Sequence, residues 1–254
     1  MVYLNDDFKI KVISRIGSKR RTGIQENLKS KNICFDFFDA ADKTNIVRCD
    51  KTFDYKGIKL NLNTSLPFPD AYNNRKWMKI GEVGCFFSHY LLWLDLVNQN
   101  KKAYFILEDD ADPKFTDKEI KKFLNEESLD NVDMVICQSV SPNFPKGKRA
   151  FKNITDKMNI KMPMGGFDWE TTEGTTGYIV TNSGAKKMLE IVKTYQMFNP
   201  VDNFVGRCVG SVLNTFLCPN YLQVVLNENV ETEIHYDIPE QIIEYIDDIK
   251  FIVG

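Results

Sequence analysis

The chain has 254 residues, 43% of them apolar and 12% aromatic, with a formal net charge of -2. That size and composition provide for a sizeable core in one large domain spanning residues 1–254. The near-neutral balance excludes a general nucleic-acid binder, whose footprint is strongly basic, and 26 lysines against 7 arginines leave few bidentate phosphate forks.

Met1 leads through Asn5-Asp6-Asp7 straight into a strand-like Ile10-Lys-Val-Ile13, without the apolar stretch of a signal peptide, and no later run approaches transmembrane length. Cys34, Cys49, Cys85, Cys137, Cys208 and Cys218 show no C-x-x-C spacing, and several lie inside apolar runs. They read as free thiols in a reducing, cytoplasmic compartment. A lysine and asparagine bias points to a low-GC source, bacterial or large-virus.

Ile10–Ser14 and Ile33–Phe38 read as strands, and Ser18–Ser30 between them carries Ile24 and Leu28 at i, i+4, which makes a βαβ opening. Its first loop holds Ser14, Arg15, Arg20 and Arg21, donors and positive charge where a helix N-terminus meets a nucleotide; the same residues also read as a solvated basic face. Residues 41–80 have weak periodicity and many turn formers, and read as a long surface excursion. From Glu82 the pattern sharpens. Val83, Phe86, Phe87, Tyr90, Leu91, Leu94 and Val97 form one stripe of a helix that is apolar on its other faces too, hence buried. His89 on this helix reads first as a core histidine and second as a ligand.

Ala103–Leu107 is an apolar strand of the kind buried on both faces, and it runs out into Glu108-Asp109-Asp110. In open α/β sheets ligands bind beyond the carboxyl ends of such strands. Three adjacent carboxylates repel one another without a counter-charge, and oxygen ligands suit Mg²⁺ or Mn²⁺ shared with substrate phosphates. The competing reading is an acidic turn before Asp112-Pro113. Thr116-x-x-Glu119 is a capping box opening a helix with Ile120, Phe123 and Leu124 inward, and Val132–Cys137 gives another strand. Residues 139–173 are rich in Pro, Gly, Lys and Met without sustained period, as binding loops are. Thr176–Thr181 resumes a strand, a helix follows from Asn182-Ser183 (Ala185, Met188, Leu189, Val192), and another follows Pro200 (Val201, Phe204, Val205, Val209, Val212). Leu222–Leu226 is a last strand before an acidic tail.

Several blocks then stand together: Val12-Ile-Ser14 with Arg20-Arg21, Phe35-Asp-Phe-Phe-Asp39-Ala, Gly81-Glu-Val-Gly84-Cys85-x-x-Ser88-His89-x-x-x-Trp93, Glu108-Asp-Asp110, Gly174-Thr-Thr-Gly177-Tyr-Ile-Val180, and Pro200-Val-Asp202. In this order they resemble glycosyltransferase family 25, the lipooligosaccharide and collagen hydroxylysine galactosyltransferases, over roughly residues 10–236. The opening departs from the family in reading Ile13-Ser14-Arg15-Ile16 where leucine commonly follows the serine, which bears on donor contacts by Arg15.

The resemblance implies a GT-A fold, a single nucleotide-binding α/β domain around a mixed, mainly parallel sheet. Residues 41–80 and 139–173 become surface or acceptor-side loops. It implies a UDP-sugar donor, Mn²⁺ or Mg²⁺, and inverting transfer of a hexose, most simply galactose, to an oligosaccharide, glycolipid or hydroxylysine acceptor, by an enzyme that is peripheral to a membrane if it meets one. Asp110 is then the first metal ligand and His235, late in the chain, the second; a surface histidine is the alternative. Ser14, Arg15, Arg20, Asp39, Glu82, Glu108 and Asp109 become donor-site residues. Inversion needs a base for the acceptor hydroxyl. Asp202 is that base or a helix N-cap, with Glu173 and Asp168 as rivals and Phe167 and Trp169 as candidates to stack on sugar. Two other functions compete: a metal-dependent phosphohydrolase built on Asp110-Ala-Asp112, and a non-catalytic sugar-binding module with the same fold.

Overall fold

A computed structural model describes residues 7–63, 78–138, 152–153, 175–197, 200–209 and 212–227. The first strand, β1 (Phe8–Ser14), is followed by α1 (Lys19–Ser30), whose N-cap Ser18 accepts a hydrogen bond from the Arg20 backbone N–H. Asn32, with φ 56°, turns the chain out of the helix, and β2 (Asp36–Asp39) begins three residues later than the apolar run from Ile33 predicts. Ile33 is instead a buried plug beneath the turn.

Residues 41–63 correct the expectation of an irregular excursion. They form a three-stranded antiparallel sheet of β3 (Val47–Cys49), β4 (Thr52–Tyr55) and β5 (Ile58–Asn61). The β4–β5 turn is Lys56-Gly57 with φ of 53° and 84°, both positive as a type I′ hairpin requires. Strands of three or four residues carry too few alternations to stand out in sequence. Yet Phe53, Tyr55 and Leu60 are buried.

Helix α2 (Ile80–Asn98) leads to β6 (Ala103–Glu108), then β7 (Ala111–Pro113), α3 (Asp117–Glu126) and β8 (Met134–Ile136). The capping box of α3 is formed, with the Thr116 backbone N–H donating to Glu119 at 2.8 Å. After β9 (Lys152–Asn153) come β10 (Gly177–Thr181), α4 (Asn182–Tyr195), α5 (Val201–Val209), β11 (Thr215–Leu217) and β12 (Val224–Leu226). Helix α5 stops before Val212, which is exposed rather than inward.

The central sheet has the order β2-β1-β6-β10-β8-β11-β9. Strands β2, β1 and β6 run parallel, as do β8 and β11, while β10 lies antiparallel between β6 and β8. The sheet is therefore mixed and mainly parallel, as expected. Its pleat divides the core in two. Ala103, Phe105 and Leu107 of β6 face one cluster with Ile24 and Leu28 of α1 and Ile120 and Phe123 of α3. Tyr104 and Ile106 face the other, with α2, α4, α5 and the small sheet. Each Phe or Leu buried this way contributes about 1.5–3 kcal/mol.

In α2 the buried line runs through Val83, Phe86, Phe87, Leu92, Trp93 and Leu96, not through Tyr90, Leu91, Leu94 and Val97, which are only partly covered. A helix apolar all round does not declare in sequence which face is deepest. By length and composition this helix also passes as a membrane span, against the expectation that no run does, although half of its most apolar window is buried inside the fold.

Candidate functional site

The site lies beyond the carboxyl ends of β1 and β6, where Ser14 ends one strand and Glu108 the other. Because β10 is antiparallel, it is its beginning, Thr175-Thr176, that reaches the same edge: the Glu108 backbone N–H donates to the Thr176 carbonyl at 3.0 Å. Strand β10 can sit this tightly because position 177 is glycine. A Cβ there would lie 2.6 Å from a methyl of Val224 on β12.

The three acids of the 108–110 run have different partners. Asp109 accepts from Ser14 Oγ at 2.8 Å and from Arg20 Nη1 at 3.3 Å. Asp110 Oδ2 accepts from the same Arg20 nitrogen at 3.4 Å, while its Oδ1 is buried without a hydrogen-bond partner among the described residues. Glu108 Oε1 is held by Thr175 Oγ1 and by His89 Nε2, the latter at 3.2 Å. Behind His89, its Nδ1 lies 2.8 Å from Tyr178 Oη, which also accepts from Trp93 Nε1 at 3.0 Å. The chain of donors is consistent in one direction: Trp93 to Tyr178, Tyr178 to His89 Nδ1, and His89 Nε2 to Glu108. His89 is thus a buried histidine as first read, but bonded to side chains rather than backbone.

These partners set the electrostatics. Burial, the Glu108 charge and the Asp109 charge push the Asp110 carboxyl up to about 7, against the pull of Arg20. Burial would raise Glu108 as well, but the hydrogen bonds from His89 and Thr175 and the charge of Arg20 hold it below the usual range. Arg20 supplies part of the counter-charge that the triplet demands, from a helix N-terminus predicted to serve a phosphate. One guanidinium does not balance three carboxylates. The orphaned Oδ1 of Asp110 and this excess of carboxylate charge fit a hard divalent cation.

The cavity in front of the acids is lined by Ser14, Arg15, Arg20, Ala40, Ala41, Lys43, Gly81, Gly84, Cys85, Ser88, Glu108, Asp109 and Asp110, and encloses about 120 Å³. Small-molecule pockets start at roughly 300 Å³, so the cavity bounded by the described residues is smaller than that. Its floor depends on Gly84: a Cβ there would come within 2.8 Å of the Ala41 carbonyl. Ser88 stitches the same contact, accepting from the Ala41 backbone N–H at 2.9 Å and donating to the Gly84 carbonyl at 2.8 Å.

Of the residues predicted for the site, Ser14, Arg15, Arg20, Glu108, Asp109 and Asp110 are brought together. Asp202, in the first turn of α5, is close enough to feel Glu108 and His89; burial raises its carboxyl pKa, Glu108 adds to the rise, and the Asn203 backbone N–H and His89 oppose it. Asp39 instead pairs with Arg21 at 2.7 Å on the surface, and Glu82 accepts from the Lys79 backbone N–H at 2.6 Å as a helix cap. Neither lines the cavity. Glu173, Asp168, Phe167, Trp169 and His235 lie outside the described residues. Asp112, the second acid of the phosphohydrolase reading, is turned to Asn27, Lys31 and Lys114, so no pair of nucleophilic carboxylates forms with Asp110. The sequence reading missed Thr175, Tyr178, Trp93 and Cys85 as site residues. The i, i+4 spacing of Cys85, His89 and Trp93 was the available signal for three residues on one face.

The model of the family described as "Glycosyltransferase family 25 (LPS biosynthesis protein)" matches residues 8–205. A glycosyltransferase 25 family member of Aedes aegypti is 27% identical over 193 residues, covering 74% of this chain and 28% of that protein. Human procollagen galactosyltransferase 2 is 24% identical over 153 residues, covering 58% of this chain and 22% of that protein. The chain spans less than two thirds of the length of the curated relatives it matches. Among solved structures, the galactosyltransferase LgtC in complex with donor and acceptor sugar analogues aligns with a TM-score of 0.39 at 11% identity, covering 80% of this chain and 72% of that one. With a family match running from β1 into α5, and with its acids and His89 gathered at one sheet edge, the chain belongs to glycosyltransferase family 25.

Proposed function

We propose that the protein is an inverting glycosyltransferase that moves a hexose, most simply galactose, from a UDP-sugar to a saccharide or hydroxylysine hydroxyl, with Mn²⁺ as the metal. The observation that carries this reading is Asp110 Oδ1, buried and without a hydrogen-bond partner among the described residues, beside two further carboxylates at the carboxyl edge of β1 and β6. Family membership supports the sugar chemistry, and the name of the human relative supports galactose.

In this reading Asp110 holds the metal, with Asp109 and Glu108 orienting its bound waters or the donor ribose, and His235 as a second ligand. The ion supplies Lewis-acid neutralisation of the departing diphosphate. The protein supplies the rest. Ser14 and Arg20 fix Asp109, the β1–α1 loop offers Arg15 and a helix N-terminus to the phosphates, and His89 with Thr175 holds Glu108 ionised and in one orientation. Asp202 takes the proton of the acceptor hydroxyl as its oxygen attacks the anomeric carbon, opposite the departing UDP. Its raised pKa suits a base, since a carboxylate that prefers its proton accepts one more readily. The reading places the enzyme in the cytoplasm, working on an acceptor in solution or at a membrane surface.

The test is a thermal-shift panel of UDP-sugars with and without Mn²⁺. A ligand that binds only the native state raises its melting temperature by mass action, so one UDP-hexose is expected to stabilise the protein in the presence of Mn²⁺ and to do so far less without it. Equal stabilisation in both conditions would remove the metal from the site. Stabilisation by oligosaccharide alone, and by no UDP-sugar, would favour the sugar-binding module.

A further inference from the structure

One turn of α2 presents Cys85 and His89 on the same face, four residues apart, and the end of β6 brings Glu108 against them. The Cys85 Sγ, a ring nitrogen of His89 and a carboxylate oxygen of Glu108 all lie within 4.8 Å of one another. Tetrahedral zinc sets its ligands about 3.3–3.5 Å apart, from bond lengths of roughly 2.0 Å to nitrogen and oxygen and 2.3 Å to sulfur. Side-chain adjustments of about an ångström close that gap. We propose that Cys85, His89 and Glu108 form a binding site for a soft divalent cation such as Zn²⁺, distinct from the Asp109–Asp110 carboxylates, with its fourth position open to the cavity.

Three features support it independently of the transferase reading. The ligand set is sulfur, imidazole and one carboxylate, which a soft or borderline ion prefers and a hard ion does not. Burial first, and then the charges of Glu108, Asp202, Asp110 and Glu82, push the Cys85 thiol up, and the same negative charges that disfavour a bare thiolate favour a cation. The support behind the imidazole is also in place. A metal-bound histidine donates its other N–H to a fixed partner, and Tyr178 Oη stands 2.8 Å from His89 Nδ1.

The proton balance is explicit. Cys85 loses its thiol proton to solvent as the sulfur–metal bond forms. His89 carries its N–H on Nδ1 instead of Nε2, donating to Tyr178 Oη, whose hydroxyl proton rotates away. Glu108 exchanges the His89 hydrogen bond for the ion and keeps the one from Thr175. One proton is released per ion bound, and no redox partner is required.

The experiment titrates Co²⁺, an optical stand-in for Zn²⁺, into the full chain carrying Cys34→Ser and Cys49→Ser, which removes the two exposed thiols. A thiolate-to-cobalt charge-transfer band is expected to saturate at one equivalent and to be bleached by Zn²⁺. Cys85→Ser, a near-isosteric change at a partly exposed position, should abolish the band and weaken binding by more than about tenfold, since losing even an outer partner reaches that scale. Asp110→Asn, which removes a neighbouring charge and no ligand, should leave the band in place at saturating Co²⁺. Absence of the band in the parent protein, its persistence in Cys85→Ser, or its loss in Asp110→Asn would each overturn the assignment.

Discussion

Ser14 Oγ donates to Asp109 Oδ2 over 2.8 Å and joins the end of β1 to the end of β6 across 95 positions of sequence. The bond fixes the middle acid of the triplet while Arg20 closes on it from α1. Ser14→Ala removes the fixed donor from a nearly fully buried position. A lost hydrogen bond to a charged group costs about 1.5–3 kcal/mol. Denaturant unfolding should register a loss of that size, and the Mn²⁺-dependent part of UDP-sugar affinity should fall by about tenfold. An unchanged affinity in the folded variant would take Asp109 out of the donor site.

Asp110 carries a prediction with opposite signs for stability and function. Burial, with the charges of Glu108 and Asp109, pushes its carboxyl from the ordinary aspartate range up to about 7 in the fold. A carboxyl whose folded pKa is raised contributes stability below the unfolded pKa, and that contribution is lost as pH rises through the folded one. Asp110→Asn should therefore come close to the parent near pH 4 and become the more stable of the two towards pH 8 without metal, by something on the order of 4 kcal/mol. The same substitution should abolish Mn²⁺-dependent donor binding. Urea titrations at the two pH values check the first expectation, and calorimetry of UDP-sugar binding checks the second.

Asp202 is assigned to the acceptor and not to the donor. Asp202→Asn should lower kcat by about 10² to 10⁴ with donor affinity near that of the parent, because a base acts in the transition state. Transfer retained within a fewfold would reduce Asp202 to the first turn of α5 and make Glu173 the next residue to replace.

Gly84→Ala reverses a general rule. Inside a helix, alanine is favoured over glycine by about 1 kcal/mol, but here the new methyl would sit 2.8 Å from the Ala41 carbonyl. Overpacking costs about 1–3 kcal/mol, so the melting temperature should drop and the cavity floor should shift with it. Gly23→Ala, with open space around its Cβ position, is the control expected to stabilise.

His235→Ala should raise the Mn²⁺ concentration needed for half-maximal transfer. Should that concentration stay where it is, the histidine is a surface residue.

Periodicity located the long elements because their patterns repeat enough to be counted: β1, α1, β6 and the capped α3 all fall where the apolar spacing puts them. It failed on β3–β5, whose strands are three or four residues long, and on the facing of α2, where every side is apolar. The acidic triplet stood out in sequence because three adjacent carboxylates at the end of a buried strand need a counter-charge. The partners the fold gives them did not. Thr175, Tyr178 and Trp93 are common residue types in apolar stretches, and only the antiparallel placement of β10 brings two of them to Glu108 and His89. Asp39 and Glu82 were drawn into the site by their blocks, whereas in the fold an arginine and a helix N-terminus have claimed them.

That placement of β10 also governs when the molecule can be completed. Strands β6 and β8 precede it in the chain, yet each makes one of its sheet pairings through it. Until residues 177–181 have left the ribosome, β6 keeps one open edge, and β8, still waiting for β11 as well, has two. Unpaired edges recruit other chains. The part of this protein before residue 177 is therefore expected to emerge as a holdase client rather than as a folded intermediate, and a truncation there should accumulate as aggregate instead of as a smaller soluble fold.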